Sequence, residues 1–267
     1  MIFRPAERRD FFMFRKDPLQ KRDSFVYGVH PVIEALESGK TIDKVWIQEG
    51  VLQGQLLDIL KMLRDKNIIW KQVPIQKLNT LVRGNHQGIV VAISAVDFAK
   101  LEDVIADTYE KGEEPFVLIL DGVTDVRNFG AIARSASCAG VHAIVVPEKG
   151  GAAINPDAIK TSAGALFKIP VCRTNSMYGT VKLLKNSGLS IVGASEKGAS
   201  NLFTSTIEGP VAIIMGSEET GISLDVAKLC VQLLRIPLSP NGVDSLNVSV
   251  ASGIFVYEVN RQRAKNL

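Results

Sequence analysis

The chain has 267 residues, more than the roughly 100 to 200 residues usual for one domain, so we expect two domains. With 46% hydrophobic and 22% charged residues, the composition excludes global disorder, and because no run of about 18 apolar residues occurs, we expect no membrane span. The formal net charge of +3 is compatible with a nucleic-acid partner without requiring one.

Residues 1–23 are predicted to form a basic extension. Arginines and lysines are interleaved there with Phe3, Phe11, Phe12 and Phe14, a mixture that suits contact with a phosphate backbone and stacking on bases. A solvated tail has the same composition, and we favour that interpretation. The segment lacks the apolar core of a secretory signal and is too rich in acidic residues for a transit peptide, so we expect a cytoplasmic protein.

The cysteine pattern agrees with that compartment. Cys138, Cys172 and Cys230 are odd in number, far apart and without C-x-x-C spacing. This pattern argues against a disulfide framework and against a zinc site, and it favours a reducing compartment.

Residues 24–96 predict a small α/β domain. The helical pattern HPVIEALESG ends at Gly39, and it is followed by the strand KVWIQE, the helix GQLLDILKMLRDKN and the strands IIWKQV and GIVVAIS. Between the last two strands lies LVRGNHQG, an expected loop in which Arg83, Asn85 and His86 stand beside glycines. Contact with RNA phosphate and a plain basic turn are equally compatible with this loop.

A linker helix in residues 97–114 is predicted to separate this unit from a second domain, residues 115–267. In the second domain the apolar runs FVLILD, HAIVVP, LSIVGA, VAIIMG and LLRIPL alternate with helical segments. Strands that are apolar on both faces predict a parallel sheet covered by helices on both sides, an open α/β fold. Ligands bind beyond the carboxyl ends of such strands, so we expect the site in the loops after Leu120, Val192, Ile214 and Leu238.

The first of these loops is DGVTDVRNFGAIARSA. Asp121 ends the strand, and Asn128 stands where a helix N-cap is expected, a purely structural role that spacing alone favours. Arg134 lies among small residues of the following helix, where a long cation can project into a site or remain an ordinary surface arginine.

The second loop, IIMGSEETGIS, joins a strand to a predicted helix through two glycines and the acids Glu218 and Glu219. Small residues let a ligand approach the backbone, and N–H groups of the helix N-terminus would meet an acceptor on it. The two carboxylates disfavour a phosphate and suit a cationic or hydroxylated ligand. Acids that complement a helix dipole give the same pattern.

The third loop, RIPLSPNGVDSLNVSVASGIF, places Ser245 and Asn247 directly before an apolar helix, where either is also a cap candidate. No G-x-S-x-G elbow surrounds the serine, and the only histidines are His30, His86 and His142, so a hydrolase triad is poorly supported. Walker and G-x-G-x-x-G phosphate loops are absent, as is a cluster of metal ligands.

Taken together, NFGAIAR at 128–134, IIMGSEETG at 213–221 and IPLSPNGVDSLNVSVASG at 236–253 resemble the three motifs of the TrmH branch of the SPOUT RNA methyltransferases. The resemblance covers residues 116–263. The preceding unit, with YGVHPVIEAL and NHQG, is similar to the L30e-like substrate-binding domain of many members. The likeness is greatest to members that methylate a guanosine ribose in 23S rRNA.

This resemblance implies an α/β fold with a C-terminal SPOUT domain that contains a trefoil knot, a topology that general rules would reject, and a small N-terminal L30e-like domain. It implies S-adenosylmethionine as cofactor, RNA and above all rRNA as partner, a homodimer through the C-terminal domain, and no metal. The implied cofactor contacts are Ala194, Gly216, Ile236 and Leu246. The implied catalytic residues are Arg134, Glu218, Ser245 and Asn247, supported by Asn128.

The family's matching arginine is proposed as a general base after contact with an RNA phosphate, a role that the strong basicity of guanidinium makes awkward. Two roles for Arg134 therefore stay open: proton acceptor, or a cation that clamps the phosphate and stabilises developing alkoxide charge. Ser245 and Asn247 would orient the hydroxyl and the loop, while Glu218 would fix polar neighbours.

The segment LSPNGVD before Ser245 is slightly longer than the corresponding run in the family, which predicts a reshaped turn. A tRNA ribose methyltransferase shares all three motifs and is the main alternative. A non-catalytic RNA-binding protein is a second alternative, which the full set of site residues disfavours. A generic nucleotide-binding enzyme is disfavoured because no phosphate loop is present.

Overall fold

The computed structural model describes residues 25–50 and 54–264. The basic extension predicted for residues 1–23 lies outside the described residues. Within the described part of the chain, the strands form one sheet of four strands and one of eight. No helix among the described residues is long and apolar enough to cross a membrane.

The four-stranded sheet has the strand order β1-β4-β2-β3. In chain order this unit contains β1 (Phe25–Tyr27), α1 (Val29–Glu37), β2 (Ile42–Gln48), α2 (Gln55–Asp65), β3 (Trp70–Val73), α3 (Ile75–Leu81) and β4 (Ile89–Ile93). The predicted helices and strands of this unit are confirmed, and Gly39 beyond α1 takes the left-handed φ of 71° that suits a glycine after a helix. The short helix α3 was not predicted, because among its residues only Leu78 is buried.

In the loop at residues 82–88, one of the three polar residues has a structural role and two are exposed. His86 is only 6% exposed; its Nδ1 accepts a hydrogen bond from Gly88 N at 3.1 Å, and its Nε2 lies 3.0 Å from Asn79 Oδ1. His86 therefore stabilises the turn. Arg83 and Asn85 are exposed and remain available to a partner.

The eight-stranded sheet has the order β10-β12-β9-β11-β6-β7-β8-β5, and its paired strands are all parallel. In chain order this unit contains β5 (Phe98–Ala99), α4 (Leu101–Glu110), β6 (Phe116–Asp121), α5 (Val126–Cys138), β7 (Ala143–Pro147), α6 (Pro156–Thr161), β8 (Val171–Thr174), α7 (Met177–Asn186), β9 (Ser190–Ala194), β10 (Ser200–Asn201), β11 (Val211–Gly216), α8 (Leu224–Ala227), β12 (Gln232–Arg235) and α9 (Val248–Ala264). The predicted parallel sheet is confirmed.

Helices cover both faces of this sheet, as its two-sided apolar strands predicted. Leu118 and Leu120 of β6 pack in one core cluster with residues of α5, α6 and α9, whereas Val117 and Ile119 pack in another with residues of α4, α7 and α8. This alternation follows from the period of two residues along a strand. The polar strand β8 and the two-residue strands β5 and β10 were not predicted, because they lack an apolar run.

Most of the segment predicted as a linker, residues 97–114, belongs to the unit of the eight-stranded sheet. Phe98 and Ala99 pair with β8, and Leu101 and Ile105 of α4 are buried against the sheet. The chain that joins the two sheets is therefore shorter than residues 97–114. The domain boundaries themselves stay a prediction.

One crossing of the chain bears on the expected knot. Strand β12 lies between β9 and β10 in the sheet, so the connection from β9 to β10 passes over it. In that connection Gly198 lies so close to β12 that a Cβ would stand 2.7 Å from Leu233 O, and only glycine permits this approach. The trefoil knot stays a prediction, and this crossing is compatible with it.

Candidate functional site

Four parallel strands end at one edge of the large sheet and place their loops together. The loops after β9, β11 and β12, with the turn before α9, surround a cavity of about 710 Å³. Strand β12 ends at Arg235, three residues before the predicted end at Leu238. Seven of the site residues implied by the resemblance line the cavity: Ala194, Gly216, Glu218, Ile236, Ser245, Leu246 and Asn247.

Gly216, at the end of β11, is required by backbone packing. A Cβ there would lie 2.1 Å from the carbonyl carbon of Gly221 and 2.3 Å from Ile222 N. The loop doubles back on itself, since Ser217 and Gly221 exchange two backbone hydrogen bonds of 3.0 and 3.1 Å. The sequence assigned the small residue to close approach of a ligand, whereas the loop's own backbone is what excludes a side chain.

The end of this loop is held by Asp121 of β6. Its Oδ2 accepts a hydrogen bond of 2.8 Å from Ser223 N, which fixes the loop against the neighbouring strand. The expected contact of a ligand with the N-terminus of the following helix stays a prediction; α8 has only four residues, and the N–H of Ser223 before it is already donated to Asp121. The loop after β11, which lines the cavity, is therefore held in place by hydrogen bonds.

Glu218, in the loop after β11, contacts the first turn of α5 and the start of α9 through one carboxylate oxygen. Its Oε1 accepts hydrogen bonds from Asn128 Nδ2 at 3.2 Å and from Asn247 Nδ2 at 3.0 Å. Asn247 Nδ2 also lies 3.0 Å from Asn128 Oδ1, and Val248 N, the first residue of α9, donates to the same Glu218 oxygen at 3.4 Å. The carboxylate thus joins its polar neighbours and complements the start of α9, whereas the sequence had related this acid to the dipole of the helix that follows its own loop.

The cap expected at Asn128 was assigned to the wrong residue. The N-cap of α5 is Asp125, whose Oδ1 accepts hydrogen bonds from Arg127 N at 2.9 Å and Asn128 N at 2.7 Å. Because Asp125 satisfies these N–H groups, the side chain of Asn128 is free to bond Glu218.

Asn247 both caps α9 and contacts the other polar residues at the cavity. It directly precedes α9, and its Oδ1 accepts a hydrogen bond from Ser249 N at 2.9 Å, as an N-cap does. Its Nδ2 makes the contacts with Glu218 and Asn128. One side chain therefore begins the helix and connects the site.

Arg134 and Ser245 stand apart from this network. Arg134 is exposed on α5, is absent from the cavity lining, and makes no hydrogen bond or ion pair with the part of the chain that the structure describes. Ser245 lines the cavity, and its hydroxyl has no partner among the described residues. Neither side chain is therefore occupied by a partner in the described part of the chain.

The cavity lining combines an excess of acidic groups with polar and apolar side chains. Its charged residues are Glu196, Lys197, Glu218 and Glu219, an excess of negative charge that suits a cationic group better than a phosphate. Sequence reasoning missed Glu196, although it follows Ala194 by two residues. It also missed the apolar walls Ile222 and Leu233, which come from the turn and from β12.

Among residues 25–50 and 54–264 no group of His, Cys, Asp and Glu side chains could hold a metal ion. Cys230 packs beneath the site near Gly193, and burial raises the pKa of its thiol to about 11, so the thiol is protonated at neutral pH and is a poor nucleophile.

Known protein families match both halves of the chain. The family model described as "SpoU rRNA Methylase family" matches residues 115–257, and the one described as "RNA 2'-O ribose methyltransferase substrate binding" matches residues 25–99. A Bacillus subtilis protein assigned to the TrmH family of tRNA/rRNA methyltransferases is 34% identical over 245 residues, which cover 92% of this chain and 98% of the relative. A Staphylococcus haemolyticus protein with the same assignment is 36% identical over 241 residues, which cover 90% and 96%.

Solved structures agree in fold. The SpoU methyltransferase AviRb from Streptomyces viridochromogenes, crystallised with AdoMet, aligns with a TM-score of 0.57 at 23% identity over 90% of each chain. An AdoMet-bound rRNA methyltransferase from Sinorhizobium meliloti aligns with a TM-score of 0.57 at 24% identity over 89% of this chain and 87% of the other. A TrmH/SpoU tRNA modifying enzyme of A. aeolicus aligns with a TM-score of 0.52 at 27% identity over 62% of this chain and 85% of the other.

Proposed function

The chain belongs to the SpoU (TrmH) family of RNA methyltransferases, and from this we propose that it methylates a ribose 2′-hydroxyl, that of a guanosine in 23S rRNA. The observation that carries the proposal is the network of Glu218, Asn128 and Asn247 at a cavity lined by the four residues expected to contact cofactor. The methyl donor is S-adenosylmethionine.

The residues of the cavity fit this cofactor. Its volume of about 710 Å³ falls in the range of roughly 300 to 1,000 Å³ typical of small-molecule sites. The apolar side chains of Ile222 and Leu233 suit an adenine ring, and the carboxylates of Glu196 and Glu219 suit ammonium and sulfonium charges. When bound, the cofactor supplies a methyl group on positively charged sulfur.

The side chains at the cavity serve positioning. A ribose hydroxyl is a weak nucleophile until it loses its proton, and methyl transfer requires in-line approach, so fixing the geometry supplies much of the rate. Glu218 holds Asn128 and Asn247 in place, and Asn247 in turn fixes the turn that carries Ser245. The free Ser245 hydroxyl orients the ribose hydroxyl by a hydrogen bond.

For Arg134 we propose the clamping role. Its guanidinium is exposed and has no acidic partner among the described residues, so it is free to bind an RNA phosphate and keeps its positive charge. A cation at that place stabilises the negative charge that develops on the 2′-oxygen as its proton leaves. The general-base role would require a neutral guanidine, a form that the strong basicity of the group disfavours.

Ribosomal RNA is the proposed substrate, bound in part by the four-stranded unit. Residues 25–99 match the family model for RNA substrate binding, which supports RNA contact by this unit. The exposed Arg83 and Asn85 are the candidate RNA contacts. The curated relatives are named for both tRNA and rRNA, so a tRNA substrate is the alternative. A non-catalytic role in ribosome assembly is the second.

We also propose a homodimer through the C-terminal domain. Helix α9 packs on the core through Phe255, Val256 and Val259, yet it also exposes 51% of Val250 and 51% of Tyr257 on another face. Ile254 lies between them and is partly buried. A helix with apolar residues on several faces is usually covered on each of them, and a second copy of the chain would cover this one.

Substrate choice is tested by incubating the protein with labelled S-adenosylmethionine and separate pools of unmodified rRNA and tRNA. Labelling of large-subunit rRNA is the expected result. Labelling of tRNA would support the alternative, and cofactor binding without transfer to either pool would support the non-catalytic role.

A further inference from the structure

The two sheets are joined by a short connection that side chains hold in place. Residues 94–97 lie between β4 and β5. Ser94 N donates a hydrogen bond of 2.8 Å to Thr41 O, and the Thr41 hydroxyl donates to the Asp97 carboxylate. Val96 is buried in the core of the second unit. The connection is therefore anchored at both of its ends.

Arg173 of β8 adds a contact between the two units. Its guanidinium donates to the carbonyl oxygens of Ile42 and Asp43 at 3.4 and 3.3 Å and forms an ion pair with the Asp43 carboxylate. The same guanidinium lies over the ring of Phe98, 3.7 Å from its centroid. The Asp43 side chain is only 5% exposed and that of Arg173 19%. A buried carboxylate is thus paired with a cation from the other unit.

Apolar packing does little to fix the two units relative to each other. The four core clusters divide between them: two lie wholly within residues 29–91, and two lie within residues 96–259. Units without a large apolar interface move relative to each other unless other contacts prevent it. Within the described part of the chain, the hydrogen bonds of Arg173 join the two units, and that of Thr41 ties the connection to the first unit.

We propose that Arg173 and Asp43 form a clamp that fixes the orientation of the four-stranded unit relative to the cavity, and that Arg173 is a positioning residue for RNA. This inference rests on the proposed function, because it takes the four-stranded unit to bind the RNA that is methylated at the cavity. Arg173 makes no contact with the cavity and acts through Asp43. Its loss leaves a buried carboxylate without its charged partner and frees the unit to turn.

Loss of the clamp affects RNA and leaves the cofactor site intact. Each orientation of the four-stranded unit presents RNA at a different distance from the cavity, and a misplacement of the reacting group by an ångström lowers the rate on the order of 10²-fold. The variant Arg173→Gln is therefore expected to lower kcat/KM for RNA by about that factor. The Kd for cofactor stays that of the wild type. Arg173→Lys keeps the charge but loses the planar fork, and an intermediate value is expected.

The test compares wild type, Arg173→Gln, Arg173→Lys and the control Lys228→Gln. Lys228 forms an exposed ion pair with Asp225 inside the second unit, so its substitution removes a charge without touching the clamp. Spin labels at Lys61→Cys and Lys149→Cys, in a Cys138→Ser background, report the distance between the two units. Cofactor affinity, measured by calorimetry, shows that each variant is folded.

The expected result for Arg173→Gln is a broadened distance distribution, a fall in kcat/KM for RNA and a normal cofactor Kd, with Lys228→Gln like the wild type. A distribution as narrow as that of the wild type would overturn the clamp. A broadened distribution with normal RNA kinetics would overturn the positioning role. If the wild type itself transfers no methyl group, the proposed function fails, while the distance measurement still decides whether the clamp exists.

Discussion

Glu218 and Asn247 lie 29 residues apart in the chain and are joined by a hydrogen bond of 3.0 Å between Oε1 and Nδ2. Asn128, in the first turn of α5, bonds to both. Three segments that follow different strands are thus joined at a single carboxylate oxygen. Removing the charge of Glu218 should therefore disturb the positions of Asn128 and Asn247, which a substitution can test.

Glu218→Gln is expected to lower kcat on the order of 10²-fold, because misplaced groups at a reacting centre cost about this much. A neutral amide oxygen accepts more weakly than a carboxylate, and three donors share this acceptor. Steady-state kinetics at saturating RNA measures the effect. The neighbouring Glu219→Gln should change only the KM for cofactor, since Glu219 lines the cavity without joining the network. Equal effects of the two substitutions on kcat would contradict the assignment.

Asn247→Ser separates the two tasks of Asn247. Serine is nearly as good an N-cap as asparagine, so the stability of the fold should be retained, whereas Asn247→Ala should cost about 1 kcal/mol of unfolding free energy. Serine is too short to reach Glu218 and Asn128, so both variants should lose activity. Thermal unfolding and methyl transfer measured on the same preparations give the comparison. Full activity of Asn247→Ser would show that only the cap matters.

Gly216→Ala should destabilise the protein by roughly 1 to 3 kcal/mol, a typical cost of overpacking, and should weaken cofactor binding. The added methyl group would lie 2.1 Å from the Gly221 carbonyl carbon, so the loop must shift. Gly253→Ala in α9 is the matched control: its nearest new neighbour would be Ser135 Oγ at 3.7 Å, and alanine is favoured in a helix by roughly 0.5 to 1 kcal/mol. Cofactor titration and denaturant unfolding distinguish the two, and wild-type cofactor affinity in Gly216→Ala would contradict the assignment.

The sequence predicted the elements whose pattern is local. The two-sided apolar runs at 116–121 and 211–216 indicated parallel strands, which are confirmed, and the loop after 211–216 lines the cavity, as expected of the end of a parallel strand. The partners of the loops were not predictable, because the bonds from Glu218 to Asn128 and Asn247 depend on strand order, which no local pattern contains. The N-cap was assigned to Asn128 and not to Asp125, three residues earlier, because asparagine and aspartate cap helices equally well and the pattern does not distinguish them.

Arg134→Ala should abolish turnover and leave the Kd for cofactor nearly unchanged. If the exposed guanidinium binds a phosphate, its loss also weakens RNA binding and reduces the slope of log K against log salt by about 0.7 to 0.9, one phosphate contact. Binding titrations at several salt concentrations measure that slope. An unchanged slope would contradict phosphate binding by Arg134. Lost cofactor affinity with a normal maximal rate would contradict any role of Arg134 in the reaction.

The three thiols should react at different rates with a thiol reagent at pH 8. Burial, with the nearby Glu102 carboxylate, raises the pKa of Cys172 to about 12, and burial raises that of Cys230 to about 11. The reactive thiolate of each is scarce below these values, so both should react slowly. Cys138 is exposed and should give the fast phase, which Cys138→Ser removes. Three equal rates would contradict this account of the core.

The most direct measurement is the chemical position of the transferred methyl group. Large-subunit RNA labelled by the protein from S-adenosylmethionine is hydrolysed in alkali, which cleaves every linkage whose 2′-hydroxyl is free. We predict that the label appears in alkali-resistant dinucleotides, because a methyl group on the 2′-oxygen blocks cleavage. Label in mononucleotides that carry a methylated base would contradict the assignment of this site to ribose methylation.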